Sequence, residues 1–340
     1  MARVVCFGEI MLRLAPPGQL RLTQANSFEV VYGGGEANVS VSLANFGVDV
    51  AYVTKIPDNP IGQAAVNELR RYGVDTSRIV RGGERLGIYF LELGASQRPS
   101  KVVYDRKYSA IAMAQPGDFN WPEIFQGASW FHFTGITPAL GDNVAAITLE
   151  ACQAAKKAGL SISCDLNYRK NLWPTEKAGK TMARLMEYVD VCIANEEDAE
   201  KVFGIKAPDT DIAGGKLSHD GYRAVARELA ARFKFEKVAI TLRGSISASD
   251  NNWAAMLFDG EQDYFSKNYP IHIVDRVGAG DSFGAGLVYS LLKGSDPQEA
   301  VEFAVAASCL KHTIYGDFNQ VSVDEVIALM KGDASGRVQR

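Results

Sequence analysis

Nine residues toward the C-terminal end, Asp275-Arg276-Val277-Gly278-Ala279-Gly280-Asp281-Ser282-Phe283, join an anion cradle to a carboxylate. Gly278, Ala279 and Gly280 carry little or no side chain, so their backbone N–H groups can come close to a ligand. Apolar residues at 283, 287, 288 and 291 then recur at helical spacing, and residues 271, 273 and 274 read as a strand before the turn. The spacing predicts a strand-to-helix turn, where the start of the helix adds partial positive charge for a phosphate. Asp281 stands in that anion site. A carboxylate there opposes an anionic ligand unless it has work of its own, most simply accepting the proton of an attacking hydroxyl. Cradle and base together are what phosphoryl transfer requires. The competing reading is an ordinary helix N-terminus with a first-turn acid.

Other polar clusters could complete such a site. Gly33-Gly34-Gly35-Glu36-Ala37-Asn38 precedes a helical run through Val39, Leu43 and Phe46, with glycines that let a ligand lie on bare backbone and an Asn38 able to cap or to hydrogen-bond. Asp165-Leu166-Asn167-Tyr168-Arg169 and Asn195-Glu196-Glu197-Asp198 each follow a strand-like run. The second cluster reads equally as a helix cap with first-turn acids or as part of a Mg²⁺-nucleotide site. Ala178-Gly179-Lys180-Thr181 looks like the end of a phosphate-binding loop, but Pro174 stands where that loop needs its first glycine, which excludes it.

The elements that must position these groups follow from periodicity. Apolar runs at 129–133, 160–164, 189–194 and 237–242 alternate with helical patterns at 144–157, 176–188 and 222–233, as in parallel βα units. Ligands of such sheets bind beyond the carboxyl ends of the strands, where the polar clusters fall. The first third differs. Alternating segments at 87–93 and 101–106 form a hairpin, and with 11–14 and 28–32 they make a small separate sheet, a lid spanning about 10–35 and 86–109. It is too small for a core of its own, so it packs on the main domain or on a second copy.

With 340 residues and a net charge of −4, the chain can bury a large core as a single domain and has no basic field for nucleic acid. The five cysteines, at 6, 152, 164, 192 and 309, have neither disulfide-framework nor metal-ligand spacing and read as buried thiols of a cytoplasmic protein. His132 reads as a core or pocket-wall residue rather than a metal ligand. No membrane segment is expected, and residues 332–340 read as a loose tail.

Taken together, the Gly33 to Asn38 and Asp275 to Phe283 segments resemble the two signature regions of the ribokinase-like carbohydrate kinases, the PfkB family. Within that family, Gly8-Glu9, Tyr104-Asp105-Arg106-Lys107, Gly135-Ile136-Thr137-Pro138-Ala139-Leu140, Asp165 to Arg169 and Leu172-Trp173 resemble 2-keto-3-deoxygluconate kinases. The resemblance implies a three-layer α/β/α domain with a mostly parallel central sheet and a β-sheet lid. It also implies ATP and Mg²⁺; the exposed edges of the small sheet point to a homo-oligomer formed through the lid. Asp281 would be the base, with Gly278, Ala279 and Gly280 as anion hole. Gly34, Gly35, Asn38, Tyr89, Tyr104, Arg106, Ile136 and Arg169 would hold an acidic sugar, whose carboxylate gives two arginines a purpose. Asn195, Thr241, Arg243, Gly244, Gly278 and Gly280 would hold ATP, and Asp198 would reach Mg²⁺ through water. Alternatives are a kinase for a neutral ketose or nucleoside, or a sugar-binding regulator without chemistry. Arg276, Asp198 and Arg243 depart from the family's usual residues.

Overall fold

The computed structural model describes residues 3–195, 197–206 and 219–332. Its strands, in chain order, are β1 (Arg3–Phe7), β2 (Met11–Ala15), β3 (Glu29–Gly33), β4 (Asp49–Val53), β5 (Lys55–Ile56), β6 (Val80–Arg81), β7 (Gly87–Glu92) and β8 (Lys101–Asp105). They continue with β9 (Ala128–Thr134), β10 (Ser161–Asp165), β11 (Val191–Asn195), β12 (Lys237–Ser245), β13 (Asp250–Phe258), β14 (Asp263–Phe265) and β15 (Tyr269–His272). The central sheet runs β14-β13-β12-β11-β10-β9-β1-β4, with β15 also paired to β13. Pairings from β4 through β12 are parallel, and those made by β13 are antiparallel.

Alternation along the strands builds the two faces. Val5 and Phe7 of β1 join one core with Phe131, Phe133 and Ile162, while Val4 and Cys6 join the other. Helices Asp142–Lys157 and Thr175–Met186 cover the first face through Ile147, Ala151, Met182 and Leu185. Helices Gly35–Asn45, Ala279–Lys293 and Pro297–Lys311 cover the second through Leu43, Phe283, Leu287 and Val305. This is the expected three-layer α/β/α arrangement, with buried parallel strands that read as continuous apolar runs.

The second sheet, β3-β2-β7-β8, stands apart. Its cluster contains only Met11, Ala15, Tyr89 and Leu91, packed against Leu93 and Val277, and Val277 belongs to the Gly-Ala-Gly turn. This sheet therefore rests on the Gly-Ala-Gly turn rather than on a core of its own. Val30, Val102, Val103 and Tyr104 remain exposed on it.

Two local expectations change. The strand before the Gly-Ala-Gly turn ends at His272 and pairs antiparallel with β13, so residues 273 and 274 lie outside it. There the chain is drawn off the sheet, because the N–H groups of Val274 and Asp275 donate to the His312 carbonyl at 2.8 and 3.2 Å. The early helix starts at Gly35, which places Asn38 inside its first turn. All five cysteines are buried free thiols, and His132 is buried beside Ser163. Among the described residues no helix is long and apolar enough to cross a membrane. The tail expected at 332–340 lies outside the described residues beyond its first position.

Candidate active site

The carboxyl ends of β10, β11 and β12 and the starts of helices Gly35–Asn45 and Ala279–Lys293 surround one cavity of about 420 Å³. Gly278 caps the second helix in the left-handed conformation, φ 83°, and a Cβ there would lie 1.9 Å from the Asp317 carbonyl oxygen. Only glycine fits. A Cβ on Gly280 would meet nothing within 4 Å, so this residue keeps the cavity wall open. The N–H groups of Gly278 and Gly280 have no partner among the described residues, whereas that of Ala279 donates to the Arg276 carbonyl at 3.3 Å. The free donors of the turn are thus Gly278 and Gly280, while Ala279 borders a smaller adjoining cavity.

Asp281 follows in the first helical turn, and its Oδ2 accepts a hydrogen bond from Asn38 Nδ2 at 2.7 Å. Asn38 Oδ1 in turn accepts from the Gly34 N–H at 3.2 Å, which fixes the amide orientation. Burial pushes the Asp281 carboxyl up to about 6, against the opposing pull of Asn38 and of the Arg169 charge. A base with that affinity is mostly ionised at neutral pH and still basic enough to take a proton. Gly34 and Gly35 also line the cavity. Gly34 allows close packing too, since a Cβ on it would strike the Glu9 carbonyl at 1.9 Å.

Tyr89, Tyr104, Arg106, Ile136 and Arg169 line the same cavity. Their charge states differ from the simple expectation of two free arginines. Arg106 Nε donates to Glu9 Oε2 at 2.8 Å, and Ser109 Oγ donates to Glu9 Oε1 at 2.6 Å, in a pair almost closed to solvent. Arg106 therefore reaches the cavity with its charge already matched. Arg169 is exposed, bonds only the neighbouring Tyr168 carbonyl at 3.2 Å and forms no ion pair among the described residues. Tyr89 is buried, and its hydroxyl donates to Asp317 Oδ2.

Asn195, Thr241 and Arg243 line the same cavity, but Gly244 does not. Successive residues of β12 point to opposite faces, so Thr241 and Arg243 share the cavity side while Leu242 and Gly244 border a separate groove. Asp198 also stays outside the cavity lining. Its oxygens accept the N–H groups of Tyr168 and Asn195 at 3.0 and 3.3 Å, and Asn195 Oδ1 caps the same turn through Glu197 and Asp198. The helix-cap reading of this segment is therefore realised, with Asn195 serving both cap and cavity.

Asp317 and Trp253 line the cavity as well and were not expected there, and Asp165 and Arg276, which the sequence placed in its polar clusters without a role, line it too. Asp165 ends β10, and burial together with Asp198 and Asp281 holds its carboxyl well above the usual range. Its position at a strand carboxyl end was the available signal. Behind the wall, the fully buried Arg13 of lid strand β2 bridges Asp275 at 2.6 Å and Asp317 at 2.8 Å. Asp275 also accepts the N–H groups of Val277 and Gly316 at 3.0 and 3.1 Å, and so sets the entry to the Gly-Ala-Gly turn. A charge inside the apolar stretch Met11-Leu12-Arg13-Leu14 was the sequence trace of this network. Such a pair is costly to break because each partner is left charged and buried.

A model of the pfkB family carbohydrate kinases matches residues 1–321. The chain belongs to the PfkB family. The crystal structure of a 2-dehydro-3-deoxygluconokinase from Thermotoga maritima is 54% identical, with a TM-score of 0.95, and the match covers 98% of this chain and 100% of that one. A 2-dehydro-3-deoxygalactonokinase of Haloferax volcanii is 34% identical over 98% of both chains. A 2-dehydro-3-deoxygluconokinase of Thermoproteus tenax is 30% identical over 93% of this chain and 90% of its own. As a PfkB sugar kinase, the protein has the ribokinase-like fold and phosphorylates an alcohol group.

Proposed function

We propose that this kinase transfers the γ-phosphoryl group of ATP to 2-keto-3-deoxygluconate (2-dehydro-3-deoxygluconate), making 2-keto-3-deoxy-6-phosphogluconate. The observation that carries the reading is the Asp281 carboxyl, raised to about 6 and hydrogen-bonded by Asn38, set between the free donors of Gly278 and Gly280 and the unpaired cation of Arg169. An acidic sugar bound with its carboxylate on Arg169 gives that exposed guanidinium a charge-assisted partner. Its acceptor hydroxyl then meets Asp281, which takes the proton as the oxygen attacks phosphorus. Gly278 and Gly280 face the charge that builds on the transferring group, and the lid residues Tyr89, Tyr104 and Arg106 keep water from competing as acceptor.

Nucleotide contacts fall to Asn195, Thr241 and Arg243. Among the described residues no three metal-ligating side chains close on a common point, so Mg²⁺ would be held by phosphate oxygens, water and a single carboxylate, the mode this ion favours. Asp165 at the cavity wall, only one of whose oxygens accepts a backbone N–H (from Asn167 at 3.1 Å), fits that part better than Asp198, which lies outside the lining with both oxygens bonded to backbone N–H groups. Bound Mg²⁺ supplies neutralisation of phosphate charge. We further propose a homo-oligomer in which Val30, Val102, Val103 and Tyr104 of the lid are covered by a second copy in the cytoplasm.

A panel of acidic and neutral sugars with ADP detection tests the substrate. Fastest turnover on a neutral ketose or nucleoside would replace the proposed acceptor, and no ADP with any sugar would favour a binding protein. Asp281→Asn should abolish turnover while sugar binding persists, and a near-normal rate would remove Asp281 as base.

A further inference from the structure

We propose that Arg276 and Arg243 form a two-arginine clamp on the phosphates of the bound nucleotide. This rests on the kinase reading above and gives a task to the one residue of the signature segment that reading leaves unused. Both side chains line the main cavity beside Gly278, Gly280 and Asp281. They also line the smaller adjoining cavity of about 60 Å³, together with Ala279, Gly280 and His312 and none of the residues assigned to the sugar.

Charge accounting points the same way. The nearby carboxylates Asp275 and Asp317 are satisfied by Arg13, and the buried ammonium of Lys311 donates to the Asp275 and Ile314 carbonyls at 3.3 and 3.0 Å. Neither Arg243 nor Arg276 has a carboxylate partner among the described residues. Arg243 lies over the Trp253 ring, 5.6 Å from its centroid. Arg276 Nη2 donates to the Ala248 carbonyl at 3.1 Å, while its Nε is buried without a partner. Burial and the Arg243 charge both push the Arg276 affinity for its proton down, and burial first, then the charges of Lys311 and these two arginines, push the His312 pKa down to about 4. Two like charges facing one opening beside free N–H donors, with a guanidinium nitrogen still unpaired, are stabilised by a multiply charged anion. A polyphosphate entering from the Gly278–Gly280 side supplies one.

Calorimetric titration of the wild-type protein, Arg276→Ala and Arg276→Lys with ADP, and separately with adenosine, in the presence of Mg²⁺ tests the clamp. Loss of one charge-assisted contact should weaken ADP binding about 10- to 100-fold in Arg276→Ala while adenosine binding stays within about two-fold, and Lys should restore only part because it lacks the planar fork. Equal losses for ADP and adenosine would reveal a displaced loop and overturn the clamp. So would ADP binding by Arg276→Ala within about two-fold of wild type. Wild-type protein that binds no ADP would instead overturn the kinase reading itself.

Discussion

Replacing Asn38 with Ala removes the 2.7 Å hydrogen bond to Asp281 Oδ2 while leaving the carboxylate in place. A hydrogen bond to a charged acceptor is worth about 1.5–3 kcal/mol net. Because about 1.4 kcal/mol corresponds to one pKa unit, the Asp281 carboxyl should rise by about 1–2 units from its present value of about 6. At pH 7 the ionised fraction would then fall from about 0.9 to between about 0.5 and 0.1, so kcat/KM there should drop about 2- to 10-fold. The loss should vanish near pH 9, where both enzymes carry an ionised base. The assay is kcat/KM for the acidic sugar from pH 5 to 9, followed by ADP release, in wild type and Asn38→Ala. An acidic limb that does not move would refute Asp281 as the titrating base. A loss of equal size at every pH would show that Asn38 acts on the substrate instead.

Three further outcomes are expected. Arg169→Ala should raise KM for an acidic sugar by about ten-fold or more with little effect on a neutral one, whereas Arg106→Ala, whose charge Glu9 already matches, should discriminate less; steady-state kinetics on both sugars checks this. Arg13→Met strands the buried Asp275 and Asp317 carboxylates and should cost about 3–5 kcal/mol in denaturant unfolding, unlike a surface Arg→Met control. Glu36 sits in the core with its carboxyl raised by burial to about 7, while its Oε1 accepts from the Thr134 N–H and the Thr137 hydroxyl. Between about pH 4.5 and 7 the folded chain holds the Glu36 proton that the unfolded chain has lost, so Glu36 makes stability fall as pH rises through that window, and Glu36→Gln should flatten the fall in melting temperature.

Periodicity and local turn chemistry were written along the chain. Apolar runs of strand and helix length announced the layered sheet, because a buried parallel strand must be apolar on both faces. The Gly-Ala-Gly-Asp segment announced the start of its helix because Gly278 tolerates the left-handed conformation that caps it. The small second sheet was legible for the same reason, as alternating strands too few to bury a core. What packing alone decided was the electrical state of the site. Asn38 meets Asp281 across 243 positions of sequence, Glu9 neutralises an arginine 97 positions away, and Arg13 reaches two carboxylates that nothing local links to it. Gly244 was assigned to the nucleotide from its motif, yet strand parity turns it away while Arg243 faces inward. Elements arise from interactions among near neighbours, which sequence spacing encodes. Charge and proton affinity depend on distance and burial between distant residues, and those exist only once the chain has folded.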